Sequence, residues 1–152
     1  GRPEVQEMIK PIQTEYDGHR FRSRLEARWA VFFKEMDWEY SYELEGYRFE
    51  YEGEILNYLP DFYVEEIDAF IEVKGPLINE IDTMKVLGLS KDVGKRVYVF
   101  GNIPNIDKCY DDILEVEMAY HDLLVSHVLR YDGIDDALDK ARKAQFEHGV
   151  KG

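Results

Sequence analysis

Apolar residues recur along this chain at two different periods, and the change from one to the other marks its elements. From Ser23 onward, Leu25, Trp29, Phe32, Phe33 and Met36 fall three and four residues apart. That spacing puts them on one broad face of an amphipathic helix, predicted to run from Ser23 to near Asp37. The period then shortens to two. Trp38-Glu39-Tyr40-Ser41-Tyr42 and Tyr47-Arg48-Phe49-Glu50-Tyr51 alternate aromatic with polar residues, with Gly46 and Gly53 as breaks, the pattern of half-buried strands. Tyr58 to Val64 and Ala69 to Lys74 read as the two arms of an antiparallel hairpin around the acidic turn Glu65-Glu66-Ile67-Asp68, ended by Gly75-Pro76. Helical spacing returns over 79 to 92, through Ile81, Met84, Lys85 and the run Leu87 to Leu89. Arg96 to Phe100 is a short apolar strand closed by Gly101, and Ile134 to Glu147 reads as a last helix with Leu138 and Phe146 inward.

Residues 1 to 15 are polar and irregular, a loose arm or a short helix, and Tyr16-Asp17-Gly18-His19 is a turn or a strand end. The stretch 110 to 130 fits one helix or a strand followed by a helix. The order is helix, antiparallel strands, helix, strand, then helices. It predicts a mixed α/β (α+β) domain rather than a doubly wound sheet. One domain over 1–152 is expected, with a core at about 16–101 and a helical extension at about 110–148.

Composition changes this picture in two places. Apolar residues make up 45% of the 152 residues, enough to build a core and to exclude a disordered class. The lone Cys109 rules out an internal disulfide, and no Cys/His cluster suggests zinc. No apolar run approaches the roughly 18 residues of a membrane span, and the first ten residues lack a hydrophobic signal region. A cytoplasmic location is the expectation. The net charge of -13 argues against a simple nucleic-acid binder, because phosphate contacts call for a basic surplus.

The chemistry concentrates in the central hairpin. A turn centred between Glu66 and Ile67 sets Asp61 opposite Glu72, with Cβ atoms about 4.5–5.5 Å apart. Glu72 and Lys74 share a face, while Ile71 and Val73 point the other way and Phe62 and Val64 face the core. Opposed carboxylates repel unless a cation joins them. Hard divalent ions take carboxylate, water and phosphate oxygens, and a neighbouring lysine can stabilise charge on a phosphoryl centre. The competing reading is a solvated sheet face in an acidic protein. Glu26 has its own alternative: Ser23-Arg24-Leu25-Glu26 fits a helix capping box. Arg20, Arg22, Arg24 and Arg28, with His19, form the one dense basic cluster. They read either as phosphate contacts or as ordinary ion-pair partners, Arg22 with Glu26 above all. The many tyrosines suit stacking on bases or strand packing. Trp29 and Trp38 read as core; His121 and His127 read as surface or core.

Taken together, Phe21-Arg22-Ser23-x-x-Glu26, Pro60-Asp61 at the head of a strand and Glu72-Val73-Lys74 on the next resemble the PD-(D/E)XK nuclease superfamily, in particular its small phage and bacterial members. The resemblance covers roughly residues 16 to 100. It implies a restriction-endonuclease-like core in the order αβββαβ, a central four-stranded mixed sheet flanked by helices. It implies Mg²⁺ or Mn²⁺ held by Asp61, Glu72 and the Val73 carbonyl, with Glu26 completing the set directly or through water. Lys74 would be the catalytic lysine, and Lys85 or Lys91 the candidates for a basic residue on the following helix. The implied activity is hydrolysis of DNA, or of RNA, in a bacterial or phage-infected cell. The acidic charge raises two further expectations: a protein partner that supplies basic surface, or a non-catalytic acidic module that recruits partners or mimics nucleic acid.

Overall fold

The computed structural model describes residues 12–74, 78–103 and 133–146. Its first element is a hairpin, β1 (Thr14–Tyr16) paired antiparallel with β2 (His19–Phe21). The two residues between them, Asp17 and Gly18, have φ of 55° and 79°. Two successive left-handed residues are what the tightest hairpin turn requires, and Asp-Gly supplies them at little strain. The irregular arm expected over 1 to 15 thus ends in a strand, held by the pairing of buried Thr14 with buried Phe21; residues 1–11 lie outside the described residues.

Helix α1 (Arg24–Glu35) starts at Ser23, whose extended backbone and hydroxyl cap it. The Ser23 Oγ accepts from the Glu26 N–H at 3.1 Å. Its buried face carries Trp29, Phe32 and Phe33, and Trp38 joins the same core. The strands follow: β3 (Tyr40–Tyr42), β4 (Tyr47–Tyr51), β5 (Glu54–Tyr58) and β6 (Phe62–Val64). A 3₁₀ turn, Glu65–Ile67, leads to β7 (Ala69–Val73). Then come α2 (Glu80–Val93), β8 (Arg96–Phe100) and α3 (Ile134–Lys143).

The strand expected over Tyr58 to Val64 is two strands. Pro60 lacks an N–H and cannot hold its place in a ladder, so the chain turns between Tyr58 and Phe62. Everything before the break, β5, pairs with β4 in a separate two-stranded sheet. The main sheet has the order β3-β6-β7-β8. Its first two pairings are antiparallel and the third, β7 with β8, is parallel. A parallel pairing needs a crossover, and α2 provides it. The molecule is a mixed α/β structure with a four-stranded mixed sheet and flanking helices.

Both faces of that sheet are covered. Phe62, Val64, Ile71, Val73, Tyr98 and Phe100 pack with α1 and α3 in one core. Phe70, Val97 and Val99 pack with α2 and the β4–β5 hairpin in another. Every residue of β7 is buried as a result, as expected where a parallel strand lies between two layers. Where α2 meets β4, the contact depends on Gly88. A Cβ there would stand 2.5 Å from Phe49 Cε1 and 3.0 Å from Tyr51 Cβ, so any side chain would force helix and hairpin apart.

The β6–β7 register pairs Phe62 with Ile71, Tyr63 with Phe70 and Val64 with Ala69, the register expected from the turn position. The final helix ends at Lys143, short of Glu147, with Phe146 packed on the core beyond it. The ambiguous stretch 110 to 130, Cys109, His121, His127 and the Gly75-Pro76 terminator lie outside the described residues. Among the described residues, no helix is long and apolar enough to cross a membrane.

Candidate active site

Asp61 stands at the head of β6, immediately after the proline break. Its backbone carbonyl accepts the Glu43 N–H at 2.8 Å, which extends the β3–β6 ladder by one step and fixes the residue. Its Oδ2 accepts the Val73 N–H at 2.8 Å, tying the carboxylate to the far end of β7. Glu72 lies beside it on β7, and its Oε1 accepts the Tyr58 hydroxyl at 2.6 Å. Lys74 follows; its N–H donates to the Phe100 carbonyl at 2.9 Å. Its Nζ reaches Glu72 Oε2 at 3.5 Å and Asp82 Oδ2 at 3.2 Å. Glu26 comes from the first turn of α1. Its Oε1 accepts the Tyr42 hydroxyl at 2.5 Å and the Arg22 N–H at 3.2 Å.

Glu26 closes the helix start through the N–H of Arg22 rather than that of Ser23. It also lies close enough to Asp61 to act on it electrostatically.

The solvated-face reading fails here. Glu26 is 8% exposed, and Asp61 and Glu72 are each 7% exposed; α2 and the β4–β5 hairpin cover the face of the sheet that carries Glu72, and Glu26 lies on the buried side of α1. Burial is the largest cause of the raised pKa of Asp61, followed by repulsion from Glu72 and Glu26; the Val73 N–H and Lys74 oppose it. Burial also raises Glu72, against the Tyr58 hydroxyl and Lys74. It raises Glu26 too, against Tyr42 and the Arg22 N–H. For Lys74, burial pulls downward, but the carboxylates of Glu72, Asp82 and Asp61 outweigh it and the net shift is upward. Lys74 is an ammonium ion at neutral pH, which decides a question that sequence leaves open.

These shifts imply a pH dependence. Groups whose folded pKa lies above the unfolded value hold protons that the unfolded chain has already released. Their stabilising contribution is complete below the unfolded carboxylate range, roughly 4, and is lost as pH rises through the folded values. Metal-free protein is expected to melt at a lower temperature at pH 8 than at pH 6, and Asp61→Asn is expected to reduce that difference. Thermal melts in a chelator check it; equal pH slopes for the two proteins would show that Asp61 is not strained by its neighbours.

Among the described residues, no three His, Cys, Asp or Glu side chains converge closely enough to cage a metal ion. Glu72 turns both oxygens to protein donors, Tyr58 and Lys74. Asp61 Oδ1 and Glu26 Oε2 accept no hydrogen bond from the described residues. That donor set fits a hard ion that keeps much of its water, as Mg²⁺ does when it takes one or two carboxylates.

The basic cluster is more dispersed than its spacing suggests. Arg22 pairs through Nε with Glu43 at 2.6 Å, not with Glu26, and Arg20 pairs with Glu15 at 3.2 Å. Arg28 is half-buried and reaches the Ala144 carbonyl at 3.5 Å, just past α3. Arg24 is exposed on α1, and it forms no ion pair with the described residues; nor do Lys85 and Lys91 on α2. The helix contribution near the site is instead acidic. Asp82, which sequence reasoning missed, sits in the first turn of α2, its N–H held by the Asn79 Oδ1 at 2.7 Å. The Asn79-x-x-Asp82 cap pattern is the signal that places it there. Tyr42 and Tyr58 were missed as well, since nothing local in sequence tells a packing tyrosine from one whose hydroxyl meets a carboxylate.

No protein-family model, curated protein or solved structure matches this chain.

Proposed function

We propose that this chain is a metal-dependent phosphodiesterase of the PD-(D/E)XK type that hydrolyses internal bonds of DNA. The observation that carries the reading is the burial of Asp61 within reach of two further buried carboxyl groups, Glu26 and Glu72, which repel it, beside one lysine held as an ammonium ion. Such an arrangement costs folding energy, and a cationic or phosphoryl ligand would offset that cost. Element order supports it: with the β4–β5 hairpin set aside, α1, β3, β6, β7, α2 and β8 run in the αβββαβ order of restriction-endonuclease-like cores.

Asp61, Glu72 and the Val73 carbonyl would hold Mg²⁺ or Mn²⁺, with Glu26 adding a ligand directly or through water. When bound, the ion supplies Lewis-acid polarisation and a more acidic water. Lys74, already protonated, donates to a phosphoryl oxygen as negative charge builds there; it is not the base that takes the proton from water. Asp82 holds the Lys74 Nζ beside Glu72 and so positions it. The Val73 N–H keeps Asp61 oriented. Arg20, Arg22, Arg24 and Arg28 are the proposed phosphate contacts, with Arg20 and Arg22 exchanging Glu15 and Glu43 for phosphate when nucleic acid binds.

A second reading is favoured by one observation, the charge of -13 together with the pairing of Arg20 with Glu15 and of Arg22 with Glu43. On that reading the chain is an acidic module that recruits a partner or mimics nucleic acid. Incubation with plasmid, single-stranded DNA, branched DNA and RNA, each with Mg²⁺ or Mn²⁺, decides between them. Fragments that depend on the metal and vanish with a chelator are expected for DNA. Cleavage of RNA alone would change the substrate. No cleavage, together with no calorimetric Mn²⁺ site that Asp61→Ala removes, would leave the module.

A further inference from the structure

Beside the carboxylates, a cavity of about 220 Å³ is walled by Glu45, Tyr47, Pro60, Tyr63, Phe70 and Lys95. Its floor is aromatic. Tyr47 meets Phe70 edge-on at 5.7 Å, and Tyr63 tilts against Phe70 at 5.1 Å. Opposite charges stand at its rim. Lys95 Nζ lies 5.6 Å from the centre of the Tyr63 ring and pairs with Asp68 at 2.6 Å. Glu45 accepts only a long bond, 3.4 Å, from the Tyr47 hydroxyl. Leu44, which also lines the cavity, is 76% exposed.

The cavity and the carboxylates share their supports. Pro60 precedes Asp61 directly. Phe70 and Glu72 are two residues apart on one face of β7, roughly 6.6 Å along the strand. A group bound over Phe70 is therefore about one nucleotide's reach from a phosphate at Glu72.

We propose that this cavity receives an unpaired base of the DNA strand whose backbone lies at the carboxylates. The base stacks on the Tyr63 and Phe70 rings. The Glu45 carboxylate accepts a hydrogen bond from an exocyclic amine, as acidic side chains do on base edges, and the Lys95 ammonium donates to a ring carbonyl. Charge favours this occupant. A protein of net charge -13, with Arg20 and Arg22 already paired to Glu15 and Glu43, gains little from phosphate neutralisation, whereas stacking supplies affinity without basic surface. An apolar peptide side chain would fill the floor but leave Glu45 and Lys95 without a role. The proposal takes its substrate class from the phosphodiesterase reading and adds a preference to it: unpaired or single-stranded sites over continuous duplex.

The test uses a DNA oligonucleotide carrying 2-aminopurine, whose fluorescence falls when it stacks, in single-stranded, bubble and fully paired forms. It is titrated with the full chain in a chelator, so that nothing is cut. Quenching by the single strand and the bubble but not the paired form is expected. Tyr63→Leu, which keeps an apolar side chain but removes the ring, is expected to weaken single-strand binding about tenfold or more. Leu44→Ser, at an exposed position with no bearing on folding, should weaken it in the same direction. Equal quenching of paired and unpaired forms overturns the proposal. So does wild-type affinity in both variants, binding confined to an RNA strand of the same sequence, or a mononucleotide that binds as tightly as the strand. The same oligonucleotides with Mn²⁺ separate the two readings. Cleavage without quenching removes the base site alone, and selective quenching without cleavage removes the phosphodiesterase reading while keeping the base site.

Discussion

Asp61→Asn is expected to lower cleavage about a thousandfold or more while raising the melting temperature of the metal-free protein. The two effects have one cause. Asp61 is buried, and it faces Glu72 and Glu26 with only part of their charge offset by Lys74. Asparagine keeps an acceptor for the Val73 N–H, now engaged at 2.8 Å, and is neutral without the proton that burial and repulsion make Asp61 take up on folding. For a domain of this size each kcal/mol gained raises the melting temperature by about 2–4 °C. Catalysis loses an anionic ligand, and removal of one such electrostatic group commonly costs at least about 10²–10³ in turnover. Alanine is the poorer choice, because it would leave the Val73 N–H unsatisfied at about 1–3 kcal/mol and blur the stability effect. Cleavage at the wild-type rate would end the assignment of this site. An inactive Asp61→Asn that melts lower than wild type would end the claim that the carboxylates strain the fold.

Lys74→Ala is expected to reduce cleavage by about 10²–10⁴, with the opposite effect on stability. Here the substitution removes the one cation that the described residues place among Glu72, Asp82 and Asp61, so their repulsion grows. The side chain is 30% exposed, and solvent screening holds the loss of stability to about 1 kcal/mol or less. Lys74→Arg separates the possible chemical roles. Arginine keeps the positive charge and cannot accept a proton at accessible pH. Partial recovery of activity in Lys74→Arg is expected if the residue stabilises charge. Activity as low as that of Lys74→Ala, with a rate that climbs steeply with pH in the wild type, would assign it the role of base instead. Turnover and melting temperature measured on both variants settle the point.

Much of the sheet was legible from local pattern alone. The strands Tyr47–Tyr51 and Arg96–Phe100 coincide with their alternating or apolar runs. The β6–β7 register follows from the placement of the Glu65–Asp68 turn, since shifting by one residue would turn Phe62, Val64, Ile71 and Val73 out of the core. The β5–β6 break was not placed by the pattern, because Tyr58 to Val64 carries strand-forming residues on both sides of Pro60-Asp61, and the force of Pro60 depends on whether its neighbours need the ladder. The cover over the second face was not legible either. It depends on α2 approaching β4 at Gly88, a contact between segments far apart in sequence.

The same division runs through the candidate site. Asp61 opposite Glu72 is a matter of strand arithmetic, and Lys74 follows from alternation. Their burial, the phenols of Tyr42 and Tyr58 and the acidic partner Asp82 are tertiary facts. The choice Arg22 makes of Glu43 over Glu26 is another: the i, i+4 pair was available, but the Glu26 carboxylate was already engaged by Tyr42 and by the backbone of Arg22 itself.

That engagement gives Glu26 a different evolutionary fate from its neighbours. If the chain cuts nucleic acid as proposed, a descendant that lost this activity would be released from keeping Asp61 and Glu72, and selection for stability would favour neutral replacements there. It would not be released from Glu26, which still secures the start of α1 and the Tyr42 hydroxyl. A glutamate at this position is thus a poor witness to activity in any relative, and an aspartate after the proline is a good one.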